Sequence, residues 1–186
     1  GKTIEKIEHV KIETIEKENR DPKIFWHEES QAYIICLWLQ ENEFAILRSK
    51  DLKEYMVSQR FSLKEAWECP DLFSLAQEDG TKQWIFWTAD GFYYFGSFDG
   101  YEFITDGIQR KAHVNQIPYA AQTFSGLNER ILSISWLRLQ FEKRFYTGAM
   151  AIPKELKLKT FRNSNHLVQQ YTKEFYAKKK KKQIPD

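Results

Sequence analysis

Long apolar runs are missing. The most apolar stretch, Tyr33 to Leu39, has only strand length, whereas a bilayer-crossing helix needs about 18 or more such residues. Cysteine is almost absent: Cys36 and Cys69 sit in differently patterned segments with no partner at metal-ligand spacing, so no disulfide framework is expected. His9, His27, His113 and His166 are scattered without ligand spacing, and no metal and no cofactor is expected. Neither charge sign dominates. The 28 Lys and Arg against 26 Asp and Glu leave a net charge of +2, which gives no bulk attraction, so neither nucleic acid nor membrane is expected as a partner. The opening Gly-Lys-Thr-Ile-Glu has no initiator Met, no charged-then-apolar leader and no small-residue cleavage site. Localisation stays open, with a lean to the cytoplasm.

Aromatic residues, by contrast, are plentiful: 6 Trp, 9 Tyr and 14 Phe in 186 residues supply the packing material of one folded domain. They cluster in short runs with Ile and Val, which reads as strand. Such runs cover Lys23 to His27, Ala32 to Leu39, Phe44 to Ser49, Gln83 to Thr88, Phe92 to Phe98, Gln122 to Phe124 and Arg130 to Trp136. Between them lie turn signals, including Asp79-Gly80, Asp90-Gly91, Asp99-Gly100, Asp106-Gly107 and Ser125-Gly126. Their close spacing predicts hairpin-linked antiparallel strands in an all-β chain.

The strands also repeat. Asp21-Pro22-Lys23-Ile24-Phe25 lines up with Cys69-Pro70-Asp71-Leu72-Phe73 at an offset of 48, and Pro118 follows Pro70 by the same interval. Ser49-Lys50-Asp51 with Tyr55 echoes Ser97-Phe98-Asp99 with Phe103 at that offset too. A unit of about 40 to 50 residues holding four strands is the size of a β-propeller blade. From Asp21 to about Pro153 the chain holds nearly three such units.

Four ordered segments carry a family resemblance: Arg20-Asp21-Pro22-Lys23, Trp67-Glu68-Cys69-Pro70-Asp71-Leu72-Phe73, Tyr119-Ala120-Ala121-Gln122-Thr123-Phe124, and Gly148-Ala149-Met150-Ala151-Ile152-Pro153. Together they resemble the invertase and levanase family of glycoside hydrolases, family 32. The resemblance implies a partial five-bladed β-propeller of about three four-stranded antiparallel blades. It places propeller at 19–156, a segment read as an added strand at 1–18, and a segment with a basic tail at 157–186. The tail from Asn165 to Phe175 resembles the segment leading from the family's propeller towards its β-sandwich.

The resemblance also implies roles. Glu68 matches the acid/base of a retaining glycosidase, which protonates the leaving oxygen and then deprotonates water; Trp67 and Cys69 beside it are expected to raise its pKa by apolar burial. Asp21 matches the carboxylate that holds fructosyl hydroxyls in the transition state, with Arg20 its electrostatic neighbour. Trp67, Cys69 and Tyr119 join Arg20 as expected substrate-binding residues. No motif of the W-x-N-D-P-N-G type, which carries the family's nucleophile, occurs in the sequence. Only 19 residues precede Arg20, so the expectation is the middle and end of a propeller without its beginning.

Such a fragment leaves blade faces that normally bury apolar surface. A homo-oligomer, or a complementing chain, is expected to cover them. The implied substrate is a carbohydrate, sucrose or a fructan, cleaved by a β-fructofuranosidase; the alternative is a non-catalytic remnant or fructosyl-sugar-binding module that self-associates. Arabinan-cleaving propellers share the architecture, but the E-C-P-D and A-A-Q-T-F segments argue against them. The run Lys178 to Lys182 reads as a solvated tail rather than an anion-binding patch. Most other aromatics, such as Trp26, Trp84, Trp87 and Trp136, are expected in packing.

Overall fold

The near-continuous apolar sequences AYIICLWLQ and EFAILRS suit strands covered on both faces, and they form the centre of the first of three sheets. The computed structural model describes residues 2, 3, 5, 12, 14–77, 79–128, 130–162 and 164–178. The first sheet runs β1 (Arg20–His27), β2 (Ala32–Gln40), β3 (Glu43–Ser49) and β4 (Met56–Ser62), each antiparallel to the next. The second runs β5 (Asp71–Ala76), β6 (Lys82–Trp87), β7 (Phe92–Phe98) and β8 (Phe103–Thr105), with β9 (Arg110–Lys111) paired to β7. In the third, β10 (Pro118–Phe124) pairs with β11 (Ile131–Leu137), which also takes β12 (Ala149–Met150); β13 (Lys154–Phe161) and β14 (Ser164–Tyr171) complete it. A six-residue helix, α1 (Lys173–Lys178), follows.

These are three four-stranded antiparallel blades with short additions, the expected partial propeller. The outer strands were not legible. MVSQRFS in β4 is largely exposed or half-buried, and KELKLKTF in β13 is mostly polar, so neither carries the apolar signal of an inner strand. The third blade consequently ends at Tyr171, not at the expected boundary of 156, because β13 and β14 pair over eight residue positions. Of the segment 1–18 read as a strand, residues 15–18 form bends and a turn, and much of the remainder lies outside the described residues, as do residues 179–182 of the basic tail. Among the described residues no helix is long and apolar enough to cross a membrane.

The blades pack face to face. Ile34, Cys36, Trp38, Phe44 and Ile46 of the first meet Leu72, Phe86, Tyr94 and Phe103 of the second in one core. The opposite face of the second blade, with Phe73, Ile85, Trp87 and Phe95, packs on Ala121, Ile131, Leu156 and Leu167 of the third. Both ends of the stack were expected to be open. Instead, Ile12, Ile15 and Tyr55 pack on the outward face of the first blade, where Ile35, Leu37, Leu39, Ala45 and Leu47 are buried. The outward face of the third blade differs: Phe124, Trp136 and Met150 are all exposed.

The innermost strands β1, β5 and β10 are tied together by charge. Lys23 Nζ lies 3.3 Å from Asp71 Oδ1 and donates to the Thr123 carbonyl at 2.5 Å and its hydroxyl at 3.1 Å. The Thr123 N–H donates to Asp71 Oδ2 at 2.6 Å. Asp71 is 1% exposed and its Oδ1 has no hydrogen-bond partner other than this ion-pair contact. Just above, Asp21, Cys69 and Ala120 hold φ of 59°, 42° and 49°, and the register of β1 and of β10 shifts at this level. These bulges are the true structural repeat. The first interval is the expected 48, but the second is 51, so Pro118 is not the counterpart of Pro22 and Pro70; Ala121 is, and the matching proline spacing is coincidence.

Two outcomes follow. Replacing Lys23 with Met strands the buried Asp71 carboxylate, so urea unfolding of Lys23→Met is expected to show a loss of about 3 kcal/mol or more. His113 is 8% exposed beside Trp87, and burial, with Lys154 and Lys111 nearby, lowers its pKa to about 4. The unfolded chain takes up a proton near pH 6.5 that the folded chain refuses until about 4, so stability falls as pH drops through that window. Unfolding free energies measured from pH 7 to 4 should lose that slope in His113→Gln.

Candidate functional site

Because consecutive blades repeat in register, the residue preceding each bulge meets its counterparts at the axis. Those residues are Arg20 at the head of β1, Glu68 in the loop entering β5, and Tyr119 in β10. An Arg20 Nη2 N–H donates to Glu68 Oε1 in a close ion pair. The Tyr119 hydroxyl donates to Glu68 Oε2 at 2.6 Å. Both carboxylate oxygens are thus engaged by donors from the two neighbouring blades. One level below, Asp21 Oδ2 accepts from the Cys69 N–H at 3.3 Å and from its thiol at 3.5 Å.

Four left-handed residues, Asp21, Glu68, Cys69 and Ala120, aim these groups. A non-glycine residue in that region costs on the order of 1 kcal/mol or more and persists only where the surroundings over-determine it. Those entering β5 and in β10 are tied by backbone bonds: Ala89 N–H donates to the carbonyls of Trp67 and Glu68 at 2.9 and 3.1 Å, and Ala120 N–H donates to the Ala89 carbonyl at 2.9 Å. Asp21 is held through its carboxylate, which accepts from the Cys69 N–H. Gln122 reaches back to the carbonyls of Cys69 and Pro70.

All six residues singled out from the sequence, Arg20, Asp21, Trp67, Glu68, Cys69 and Tyr119, lie in this cluster. Three further ones were missed. Trp38 lies 4.0 Å beneath the Arg20 guanidinium and packs against Trp67 in a tilted contact with ring centres 5.4 Å apart. In sequence it is one more aromatic in an apolar strand, with nothing to mark it. Arg138, in a loop with no motif, places its guanidinium 4.2 Å over the Tyr119 ring. Asp90 follows Ala89, and burial pushes its carboxyl up, against the pull of Arg138 and with an added push from Glu68. Its Asp-Gly context read only as a turn.

The electrostatics overturn one expectation. Burial does raise the Glu68 carboxyl, as its apolar neighbours suggested, but the hydrogen bonds from Tyr119 and Arg20 and the Arg20 charge outweigh it and hold the group below the ordinary glutamate value. Burial and the Glu68 hydrogen bond push the Tyr119 phenol up, so it keeps its proton as the donor. The Cys69 thiol is pushed up to about 12 by burial and by Asp21, and so stays protonated. As it stands, the cluster presents an ionised Glu68 with both oxygens engaged, and a second carboxylate, Asp21, adjacent.

The sequence profile of the glycosyl hydrolases family 32 N-terminal domain matches residues 1–171. An extracellular exo-inulinase of Aspergillus niger is 33% identical over 183 residues, covering 81% of this chain and 34% of that protein. A levanase of Bacillus subtilis is 30% identical over 186 residues, covering 85% of this chain and 27% of its own. The structure of a fructofuranosidase from Schwanniomyces occidentalis complexed with fructose superposes with a TM-score of 0.73 at 25% identity, over 82% of this chain and 35% of that one. The chain therefore spans about a third of the length of the relatives it matches.

If Arg20 holds Glu68 ionised, removing its charge must raise the Glu68 pKa. The carboxyl carbon of Glu68, followed by NMR titration, is expected to titrate at higher pH in Arg20→Leu than in the unaltered chain; an unchanged titration refutes the assignment. In the unaltered chain the pair stabilises the fold above the ordinary carboxylate pKa and ceases to do so as pH falls through the depressed folded value.

Proposed function

The chain belongs to glycosyl hydrolase family 32, and on that premise we propose that it carries the acid/base side of a retaining β-fructofuranosidase site acting on sucrose or a fructan. The observation supporting this most directly is the meeting of Glu68, Asp21, Arg20 and Tyr119 from three blades at one axis. Glu68 is the acid/base. It donates a proton to the oxygen leaving the fructosyl carbon, and in the second half of the cycle takes one from water. Asp21, held by the Cys69 N–H and thiol, accepts hydrogen bonds from hydroxyls of the fructosyl ring as it flattens towards the oxocarbenium-like transition state. Trp67 and Tyr119 border the sugar, and Arg20 sets the charge of Glu68.

Arg20 has a second consequence. A general acid must carry a proton, and Glu68 with both oxygens engaged does not. Productive binding therefore requires Arg20 to release Glu68, which an anionic group drawn to the guanidinium would do. The nucleophile carboxylate of a retaining pair is such a group, and no W-x-N-D-P-N-G motif supplies it within this sequence. A carboxylate from outside these 186 residues is what this reading calls for. The ionised Glu68 also favours the second reading, a fructosyl-binding module without turnover. The earlier lean to the cytoplasm gains no support, because the Aspergillus relative is named as extracellular.

The experiment is to measure binding of sucrose and release of fructose from sucrose, inulin and levan by the purified chain, alongside Asp21→Asn and Glu68→Gln. Binding that weakens about tenfold or more in Asp21→Asn, the loss of one strong charge-assisted contact, supports the site. Fructose release abolished by Glu68→Gln would assign turnover to the chain itself; binding without release would assign the module. A chain that binds no fructoside sinks the reading.

A further inference from the structure

The loop joining β11 to β12, RLQFEKRFYTG from Arg138 to Gly148, carries three aromatic rings into solvent. Phe145 is fully exposed, Tyr146 is 63% exposed and Phe141 40%, and the rings of Phe141 and Tyr146 meet edge to face at 5.8 Å. Burying such a side chain stabilises a fold, so a loop that leaves three of them in water forgoes stability. Exposed aromatic patches of this kind mark binding surfaces.

The loop is anchored at its base. Gly148 N–H and the Thr147 hydroxyl both donate to the Leu139 carbonyl, at 2.7 and 2.9 Å. Arg138 N–H donates to the Ile117 carbonyl at 2.9 Å, and its guanidinium donates to the Gln116 carbonyl while lying 4.2 Å over the Tyr119 ring. Tyr119 in turn holds Glu68. The aromatic loop therefore springs from the surface beside the acid/base carboxylate, and a general acid faces the departing group. The exposed neighbours of the rings, Gln140, Glu142, Lys143 and Arg144, are polar or charged. Rings set among hydrogen-bonding groups suit the CH faces and hydroxyls of a sugar.

We propose that this loop is a stacking platform for the leaving-group portion of a fructan chain, so that the site favours oligomeric and polymeric fructosides over sucrose. The proposal rests on the β-fructofuranosidase reading above. A disaccharide has a single leaving unit, which lies against Glu68 and Tyr119; a longer chain continues across Tyr146, Phe141 and Phe145.

The test is electrophoresis of the folded chain through native gels containing inulin, with sucrose affinity measured by calorimetry. Retardation by inulin is expected to weaken about tenfold in Phe145→Ala/Tyr146→Ala, on the scale of two stacked rings at about 0.5–1.5 kcal/mol each. Phe161→Ala, as exposed as Tyr146 but on the β13–β14 hairpin, should match the unaltered chain. Sucrose bound with unchanged retardation in the double variant overturns the platform and leaves the fructosidase reading standing. Equal losses for sucrose and inulin also overturn it, since the loop would then act through the shape of the common site. Binding of neither sugar by the unaltered chain overturns both.

Discussion

Lys23 reaches Asp71 across 48 residues of sequence and Thr123 across 100, joining the innermost strands of all three blades at one level of the axis. A carboxylate 1% exposed cannot remain ionised in an apolar interior without a partner. The pair therefore tolerates one relative register of β1 and β5, and the Thr123 N–H extends that register to β10. Slipping any strand by one residue would turn these groups to the wrong face and leave a charge buried alone. The strict registration of the blades has its physical source here.

What lies above that level follows from it. With Lys23 and Asp71 matched, Asp21 meets Cys69 and Arg20 meets Glu68, all at the same interval. The bulges then lift Arg20, Glu68 and Tyr119 to one point. The resulting site has a charge state opposite to the one its apolar neighbours suggest. Desolvation raises a carboxyl, but a charge-assisted bond to arginine and a short bond from a phenol each favour the anion, and together they win. The protonation of Glu68 is therefore governed by where Arg20 sits, and Trp38 beneath the guanidinium helps to hold it there.

The two ends of the blade stack differ in a way that bears on assembly. Ile12, Ile15 and Tyr55 pack on the outward face of the first blade, which is as dry as an internal blade interface. Phe124, Trp136 and Met150 leave the third blade's outward face apolar and wet. Surface of that kind is what an added blade or a second chain would bury.

The sequence by itself determined the all-β class, most of the apolar strands and the blade-sized repeat, and through the family resemblance it pointed to the six residues of the cluster; β5, innermost in the second blade, gave no strand signal of its own. The apolar strands and the bulge motifs are written locally, in apolar runs and in short segments such as R-D-P-K and E-C-P-D. The outer strands were not legible because a solvated edge strand has no apolar signature, and so the third blade runs on to Tyr171. Only the tertiary structure decided that the second repeat interval is 51 rather than 48, because a bulge fixes equivalence by register and not by a shared proline. It alone brought Trp38, Arg138 and Asp90 to the site, each from a segment whose local pattern reads as core or turn. It alone set the charge of Glu68, since a pKa is the sum of burial and partners, and those partners come from two other blades.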